Sequence, residues 1–563
     1  MTEVGVVGTG PAAEAVRTAL GDTDAAVRTI ESTATRSVSL AVVVASTGSE
    51  SLSAATDDAR ATGTPHVVVE LGGIGDRAVA DVDAAVSGHT EETACYDCLC
   101  TRIGAADPET DDGATTAADA RLAGAVAGRS AVELLSDAES DTAGTVVELP
   151  YTERRLLPVP GCDCGDGLDR RLRRTQDSRD LGAAIAAAEI AFDERLGPID
   201  SIGEAESFPV PYYLASLAAT PFSDADVPEH AAGVATEWDP AFMKALGEAL
   251  ERYSGGVYRT STFLETHPNP VDPARFVQPD PVAEDVGSWY PAEHLTSGES
   301  VGLPAELVVF PPPTRSIRPA ITTGLGLGNG GIEALLSGLY EIIERDAAML
   351  SWYSTYDPLL IDLDDERLTT LRRRLRSEDL SVTPLLCTVD VDVPVVASCV
   401  HRDSEWPRFA TGLAADLDPA DAVVAATEEA TQNWLELRRM GPERATEQPG
   451  AIGRYADFPE AARSFVDPYT KVSADSVGVD DPPSGAAELD ALLSAIDAAG
   501  LDAYGARLTP RDVESLGFEA VRAVVPAAQP LFTDDPYFGE RAKSVPRSLG
   551  FEPRPEREHH PFP

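Results

Sequence analysis

Lysine is almost missing. Lys244, Lys471 and Lys543 are the only three among 563 residues, and 44 basic side chains face 94 acidic ones, for a net charge of −50. Such an excess excludes non-specific binding to nucleic acid or to an anionic membrane surface, because both carry the same sign of charge. No run approaches the roughly 18 apolar residues of a membrane span, and the start has no basic flank of a signal peptide. Seven cysteines in so long a chain do not make a disulfide scaffold, so clustered ones read as metal ligands. What is present is ample apolar material, 43% of the residues, which excludes general disorder and suffices for two to four domains. Acid-rich, lysine-poor, alanine-rich usage suggests a cytoplasmic protein adapted to high salt (halophilic), where screening weakens self-repulsion.

Residues 322–346 draw attention first. Gly324, Gly326, Gly328, Gly330 and Gly331 form a loop that runs straight into an apolar helix. Glycines permit close backbone approach, and free amides at a helix start favour an anion, so the stretch reads as a nucleotide site. On the helix Glu341, Glu344 and Arg345 fall at i, i+3 and i+4 and share one face. Glu333 shares that face with Glu344 but lies roughly 16 Å away along the axis. One metal ion cannot bridge them, whereas a polyphosphate carrying more than one Mg2+ can. The competing reading is an ordinary amphipathic helix with surface carboxylates. Residues 244–253 weigh against it: Glu248, Glu251 and Arg252 repeat the Glu-x-x-Glu-Arg spacing, hinting at a duplicated unit.

Along the chain, residues 3–17 read as strand, glycine turn and helix, with strand-like runs at 38–45 and 66–71, a Rossmann-like beginning. Gly8 and Gly10 could approach a phosphate, but Ala13 occupies the third glycine position and no ribose-binding acid follows, leaving either a nucleotide turn or a structural one. Cys95 and Cys98, then Cys162 and Cys164, make two knuckles suited to structural Zn2+, with Cys100 as a competing ligand and free thiols as the alternative. Cys387 and Cys399 lie in Val-rich segments and read as core. Residues 165–180 lack apolar periodicity and read as a linker, whose Arg170, Arg171, Arg173 and Arg174 form a solvated, locally paired face rather than a nucleic-acid contact. A helix follows over 181–194. Strand-like runs at 305–310, 395–400 and 518–525 complete an α/β and α+β mixture.

With both acidic helices in view, residues 181–563 resemble the YcaO superfamily, specifically the azoline-forming cyclodehydratases. The resemblance rests on Glu248, Glu251 and Arg252; on Asn329, Glu333, Glu341, Glu344, Arg345 and Asp346; on Glu429 and Gln432; on Val521-Arg522 through Gln529-Pro530; and on the final His-Pro-Phe-Pro. The N-terminal portion resembles the E1-like (ThiF-like) partner domain often fused to these enzymes, zinc site included. The implied organisation is an E1-like domain over 1–164 with a Rossmann-like sheet and zinc knuckles, a linker over 165–180, and a YcaO ATP-binding α+β domain over 181–563. Two features depart from the family pattern. The terminal Pro-x-Pro-x-Pro appears as His559-His560-Pro561-Phe562-Pro563, and Thr322, Thr323 and Gly326 stand where polar loop residues are common.

The resemblance implies an ATP-dependent enzyme that closes thiazoline or oxazoline rings at Cys, Ser or Thr of a ribosomally made precursor peptide. Its alternatives are peptide thioamidation by the same ATP chemistry, or a non-catalytic scaffold for the precursor. Implied cofactors are ATP, Mg2+ and structural Zn2+. Glu248, Glu251, Glu333 and Glu344 are expected at Mg2+, with Glu341 as a further ligand or an acid behind the ligands. Arg252 and Arg345 either meet phosphate or pair with those carboxylates, and Asn329 donates to phosphate. His560, as a base of near-neutral pKa, or the terminal carboxylate of Pro563, is the candidate catalytic group. Candidate partners are the precursor peptide, a separate leader-recognition protein (no winged helix is recognisable here), a flavin dehydrogenase and a second copy in a homodimer, with no nucleic acid or membrane.

Overall fold

The computed structural model describes residues 2–136, 142–150, 152–165, 167–177, 179–279, 286–448, 450–479 and 481–562. The fold is a mixed α/β arrangement of four sheets. The N-terminal sheet runs Ala26–Thr29, Glu3–Val7, Leu40–Ser46, His66–Leu71, Ala84–His89, Thr145–Leu149, Thr152–Arg155. Its first four strands are parallel and the rest antiparallel. The parallel strands are Val-rich because both faces are covered. Helices Pro11–Leu20 and Ala117–Leu135 cover one face, so close together that a Cβ on Gly124 would fall 2.2 Å from the Ala12 carbonyl oxygen. The other face is continuous with the C-terminal part of the chain: Val43, Val68, Tyr96 and Leu99 belong to the same core as Leu246, Leu250, Tyr253 and Phe518.

Three further sheets follow. Ile199–Glu206, Tyr212–Leu217 and His230–Val234 form a small antiparallel sheet that leads into helix Trp238–Gly256. An antiparallel sheet is ordered Ser300–Pro304, Trp289–His294, Tyr504–Arg507, Glu519–Val524, Leu325–Gly328. Another runs Phe409–Ala415, Val395–His401, Ser381–Leu386, Leu359–Asp362, Lys471–Ser473. Helix Gly331–Trp352 lies between these last two, with Leu335 and Leu339 in one core with Val521 and Ala523 on one side and Val395, Ala397 and Leu413 on the other. A helix packed on opposite faces is apolar nearly all round, so its few acids stand out.

The duplication hinted at by the sequence has a physical basis. In the first two strand–helix units, a strand glycine lies against the following helix: a Cβ on Gly233 would meet Ala241 O and Ala245 N, and one on Gly326 would meet Ala334 O and Gly338 N. All correspond at a single offset of 93 residues (233 to 326, 248 to 341, 251 to 344, 252 to 345). A third unit, strand Phe409–Ala415 and helix Pro419–Ala445, repeats the contact, with Gly412 against Ala426 O and Ala430 N. Counting from that contact, Glu436 takes the place of Glu251 and Glu344, while Asn433 and Leu437 replace the other acid and the arginine.

Several elements differ from the sequence reading. The apolar run 305–310 is not a strand: strand Ser300–Pro304 ends at a proline, Ala305–Leu307 forms a single 3-10 turn, and Leu307, Val308 and Val309 fill the core. The helix at 181–194 is shorter, Leu181–Glu189, capped by the Asp180 side chain on Ala183 N–H. Within 165–180 the arginines reach well beyond local partners. Arg171 pairs with Asp169, but Arg173 also reaches Glu514 and Glu519, Arg174 meets Glu293, and Arg170 lies over the Tyr290 ring at 4.4 Å. Cys387 and Cys399 are core residues as expected. No helix of the described residues is long and apolar enough to cross a membrane.

Candidate active site

The three strand–helix units bring their acids together. In each, a helix carboxylate accepts a backbone amide of the strand or of the residue just before it: Ala232 N–H donates to Glu248 at 2.9 Å, Gly324 N–H to Glu341 at 3.0 Å, and Leu413 N–H to Glu429. Arg252 bonds Glu248 at 2.9 Å; Arg345 bonds Glu344 at 3.2 Å and approaches Glu429 at 3.7 Å. Glu436 accepts from Gln432 at 3.2 Å and from the Tyr212 hydroxyl at 3.4 Å.

Crowding these acids has an electrostatic consequence. Burial pushes the Glu251 carboxyl up to about 8; Arg252 opposes the rise, while Glu341 and Glu248 add to it. Burial likewise raises Glu344 well above the usual carboxylate range against the pull of Arg345, with Glu429 and Glu341 contributing. Glu429 and Glu436 are raised by burial too. Half-buried acids that repel one another and are incompletely balanced by arginine suit a divalent cation, which relieves both the desolvation and the repulsion. The surface-carboxylate reading therefore fails for Glu344, which is 8% exposed.

The glycine loop serves a different purpose from the one expected. The helix start is not a free anion site: Gly331 N–H donates to Thr175 Oγ1 at 3.1 Å and Ile332 N–H to Thr175 O at 3.1 Å. A Cβ on Gly331 would fall 1.6 Å from Arg173 O, so that glycine admits the 173–175 backbone rather than a ligand. Asn329 donates through its backbone and side-chain amides to Glu333, at 2.9 and 3.1 Å, and its Oδ1 is buried without a partner. Glu333 sits at the exposed end of the helix, so it shares a ligand with Glu344 only if that ligand is extended.

Residues 559–562 are built into the core, at the end of a largely exposed 551–558 stretch. Trp352 Nε1–H donates to Glu558 O at 2.9 Å, Thr411 Oγ1–H to Pro561 O at 2.7 Å, and the Tyr455 hydroxyl to His559 O; Phe562 is buried against Trp352 and Phe465. His560 Nε2–H donates to Phe532 O at 2.7 Å, which leaves Nδ1 as a lone pair, buried and without a partner. The near-neutral imidazole expected from the sequence is not what the structure holds. Burial, and next to it His559, pull His560 down to about 3, and Arg345 is near enough to oppose its protonation as well. Pro563 lies outside the described residues.

Cys95, Cys98, Cys162 and Cys164 converge, their sulfurs all within 4.8 Å of one another. Neighbouring Sγ atoms are 3.8, 3.7 and 3.6 Å apart. A tetrahedron with Zn–S of about 2.3 Å has edges of about 3.8 Å, so the quartet fits zinc. Cys100 is not part of it and lies instead by Tyr96 and Glu70. Val159 N–H and Arg511 donate to Cys98 and Cys164 at 3.3 and 3.6 Å. The quartet is linked to the first acidic helix, because Arg102, one turn beyond Cys98, pairs at 2.7 Å with fully buried Asp512, which also accepts from Tyr253, the neighbour of Arg252.

Sequence reasoning missed Glu436, whose unit kept the glycine contact but lost the arginine.

A family model described as YcaO cyclodehydratase, ATP- and Mg2+-binding, matches residues 232–529. A protein of Methanothermobacter thermautotrophicus is 29% identical over 327 residues, 54% of this chain and 82% of its own length. One encoded in the tfuA 3' region of Rhizobium leguminosarum bv. trifolii is 28% identical over 181 residues, 28% of this chain and 41% of its own. Among solved structures, a heterocyclase in complex with substrate and cofactor superposes with a TM-score of 0.73 at 18% identity, covering 98% of this chain and 83% of its own. The YcaO protein of Methanopyrus kandleri bound with AMPPCP and Mg2+ gives a TM-score of 0.53 at 24% identity, covering 62% of this chain and 91% of its own. The fold of the first extends over the N-terminal sheet as well as the acidic helices. Because the family model spans more than half of the chain and contains both Glu-x-x-Glu-Arg helices, the chain belongs to the YcaO family.

Proposed function

We propose that the chain is an ATP-dependent peptide cyclodehydratase that converts Cys, Ser or Thr of a ribosomally made precursor into thiazoline or oxazoline. The observation that carries this reading is the convergence of Glu248, Glu251, Glu341, Glu344 and Glu429 with Arg252 and Arg345, acids whose crowding suits Mg2+. The heterocyclase solved with substrate and cofactor, and the YcaO protein solved with AMPPCP and Mg2+, support it through the shared fold.

In this reading a substrate thiol or hydroxyl adds to the preceding backbone carbonyl, and the resulting oxygen leaves only after it has been phosphorylated. Mg2+-ATP supplies the phosphoryl group and neutralises its charge. The protein positions and balances charge. Glu248, Glu251 and Glu344 would hold Mg2+ and Glu333 a further Mg2+ on the same extended polyphosphate, with Glu341 behind them, already committed to Gly324 N–H. Arg252 and Arg345 exchange carboxylate for phosphate partners, and Asn329 turns its amide to a phosphate oxygen. His560, locked as the Nε2–H tautomer, offers Nδ1 to the proton lost by the nucleophile; it can hold that proton only with an anion nearby to offset Arg345. Pro563 is assigned to the same end of the site.

The residues 1–164 are proposed as an E1-like docking unit for the precursor, with Cys95, Cys98, Cys162 and Cys164 on structural zinc. A separate leader-recognition protein, a flavin dehydrogenase and a second copy of the chain remain its proposed partners, and the cytoplasm its proposed location. The test is intact mass of a Cys/Ser/Thr-rich candidate peptide incubated with the full chain and Mg2+-ATP. A loss of about 18 Da per ring, one water, is expected. A gain of about 16 Da with added sulfide, by oxygen-to-sulfur exchange, points to thioamidation instead. An unchanged peptide with no ATP turnover leaves the scaffold reading.

A further inference from the structure

The arginines of residues 170–174 do not all find acids. Arg171 pairs with Asp169, Arg173 with Asp169, Glu514 and Glu519, and Arg174 with Glu293. Arg170 meets no carboxylate among the described residues. It donates to Thr262 O at 2.9 Å and to Thr262 Oγ1, and its guanidinium lies over the rings of Tyr290 at 4.4 Å and Phe263 at 5.8 Å.

Arg170 stands in the wall of a cavity of about 380 Å³. Phe222, Val257, Tyr258, Tyr290, Val309 and Leu508, all buried, give it an apolar inner surface. The second cysteine knuckle and the stretch around Leu168, itself 40% exposed, form the outer wall. The neutral polar groups of the walls are already committed to the protein: the Tyr258 hydroxyl donates to Pro311 O at 2.7 Å, that of Tyr290 to Arg507 O at 2.8 Å, and Ser254 Oγ to Leu250 O at 2.6 Å. The charged side chains of the lining are Arg170, Arg259, Arg511 and the exposed Asp163. Arg259 bonds Asp224 at 2.8 Å and Arg511 bonds Cys164 at 3.6 Å, which leaves Arg170 as the guanidinium held only by neutral groups.

A guanidinium against apolar walls is costly unless an anion completes it. Its fork matches a carboxylate through two parallel N–H bonds. A cavity of this size, mostly apolar and with few polar groups, built where several segments meet, has the form of a small-molecule site. It is also separate from the acid cluster. Ser254, in its wall, follows Arg252 by two positions, about 200° round helix Trp238–Gly256, so the two face opposite ways.

We propose that this cavity binds a small apolar monocarboxylate, an aromatic or branched aliphatic acid whose body lies among Phe222, Val257 and Leu508 and whose carboxylate pairs with Arg170. Such a ligand braces the cysteine knuckle against the end of the first acidic helix, which is the position of an effector and not of a reacting group. The inference does not depend on the nucleotide reading. Replacing Arg170 strands no acid, so the fold is expected to survive, which thermal melting checks.

The test is calorimetric titration of the full chain with 3-phenylpropionate, its uncharged amide and acetate, for the unaltered protein, Arg170→Gln, Arg170→Lys and Val257→Phe. The acid is expected to bind the unaltered protein about tenfold tighter than the amide, the difference between a charge-assisted and a neutral hydrogen bond, and acetate, which lacks the apolar body, to bind far more weakly than either. Arg170→Gln should bind acid and amide equally, and Arg170→Lys should keep part of the preference. Val257→Phe, which fills the cavity, should weaken both; should that variant not fold, the Arg170 pair still decides. Amide bound as tightly as acid by the unaltered protein, a preference that survives Arg170→Gln, or no binding of the acid in the millimolar range expected for a ligand of its size would overturn the site. Displacement of the acid by Mg2+-AMPPCP would overturn it as well, since the two ligands would then share one site.

Discussion

The two Glu-x-x-Glu-Arg helices carry the same residues at the same spacing, yet they are wired differently. In Trp238–Gly256, Arg252 reaches back one turn to Glu248, and the two side chains retain 23% and 31% exposure. In Gly331–Trp352, Arg345 turns to adjacent Glu344 and across to Glu429 of the third unit, and Arg345 and Glu344 retain only 13% and 10%. The first helix shares a core with the N-terminal sheet and leaves its Glu248 and Arg252 side chains partly exposed. The second is enclosed between two sheets. Identical local spacing therefore places acids on one face in both, while tertiary packing decides which acid is more costly to ionise without a cation. The second helix is expected to dominate chemistry and the first to tune metal affinity.

The largest expected effect breaks the comparison at its stronger side. Glu344→Gln should keep the fold and lose about 100-fold or more in Mg2+-ATP turnover, the scale of removing one preorganised charge at a developing charge. Glu251→Gln should lose less, and equal losses in steady-state ATPase assays would show that burial does not rank the two helices.

Next comes the His560 end of the site. His560→Ala should abolish ring formation in the peptide mass assay while leaving AMPPCP affinity within a few-fold, since the imidazole is assigned to the proton and not to the nucleotide. Deleting residues 560–563 should do the same and also lower the melting temperature, because it removes buried Phe562; a buried Phe→Ala change costs about 3–5 kcal/mol. Ring formation that persists in both proteins contradicts the assignment.

A pH series sharpens the contrast from the weaker side. With Glu251 near 8, a proton competes with Mg2+ at neutral pH, so affinity should rise by up to about tenfold per unit as pH approaches 8 and then level off. The sign for stability is the opposite. A carboxyl raised above its ordinary 4.5 stabilises the metal-free fold fully below that value, and the contribution is lost as pH rises through about 8. Glu251→Gln should flatten both dependences, measured by Mg2+ titration and by melting temperature. The smallest effect on catalysis is expected at the cysteines: Cys95→Ser should lose the one equivalent of zinc in metal analysis and loosen the N-terminal half, with only a modest change in nucleotide affinity transmitted through Arg102, Asp512 and Tyr253.

Both acidic helices were legible because a one-face pattern at i, i+3, i+4 survives any tertiary context, and the cysteine quartet because knuckle spacing is local. The glycine loop was legible as close approach but not as approach of what: only the structure brings Thr175 and the Arg173 carbonyl, more than 150 positions away, to Gly331. The shift of His560 was hidden for the same reason, since burial against Phe532 and the enclosing aromatic side chains sets most of it, and only the His559 contribution lies beside it in the sequence. Glu436 was hidden by a longer strand-to-helix connection that puts its unit out of register with the other two.

The central claim is that acids from both helices serve one Mg2+-nucleotide site. A double-mutant cycle tests it most directly: calorimetric titration of Mg2+-AMPPCP into the unaltered chain, Glu251→Gln, Glu344→Gln and the double variant. Groups acting on one bound ligand are expected to be strongly non-additive, with the double variant binding little worse than the poorer single one. Losses that simply add, or a Glu344→Gln protein that binds as tightly as the unaltered chain, would contradict the account.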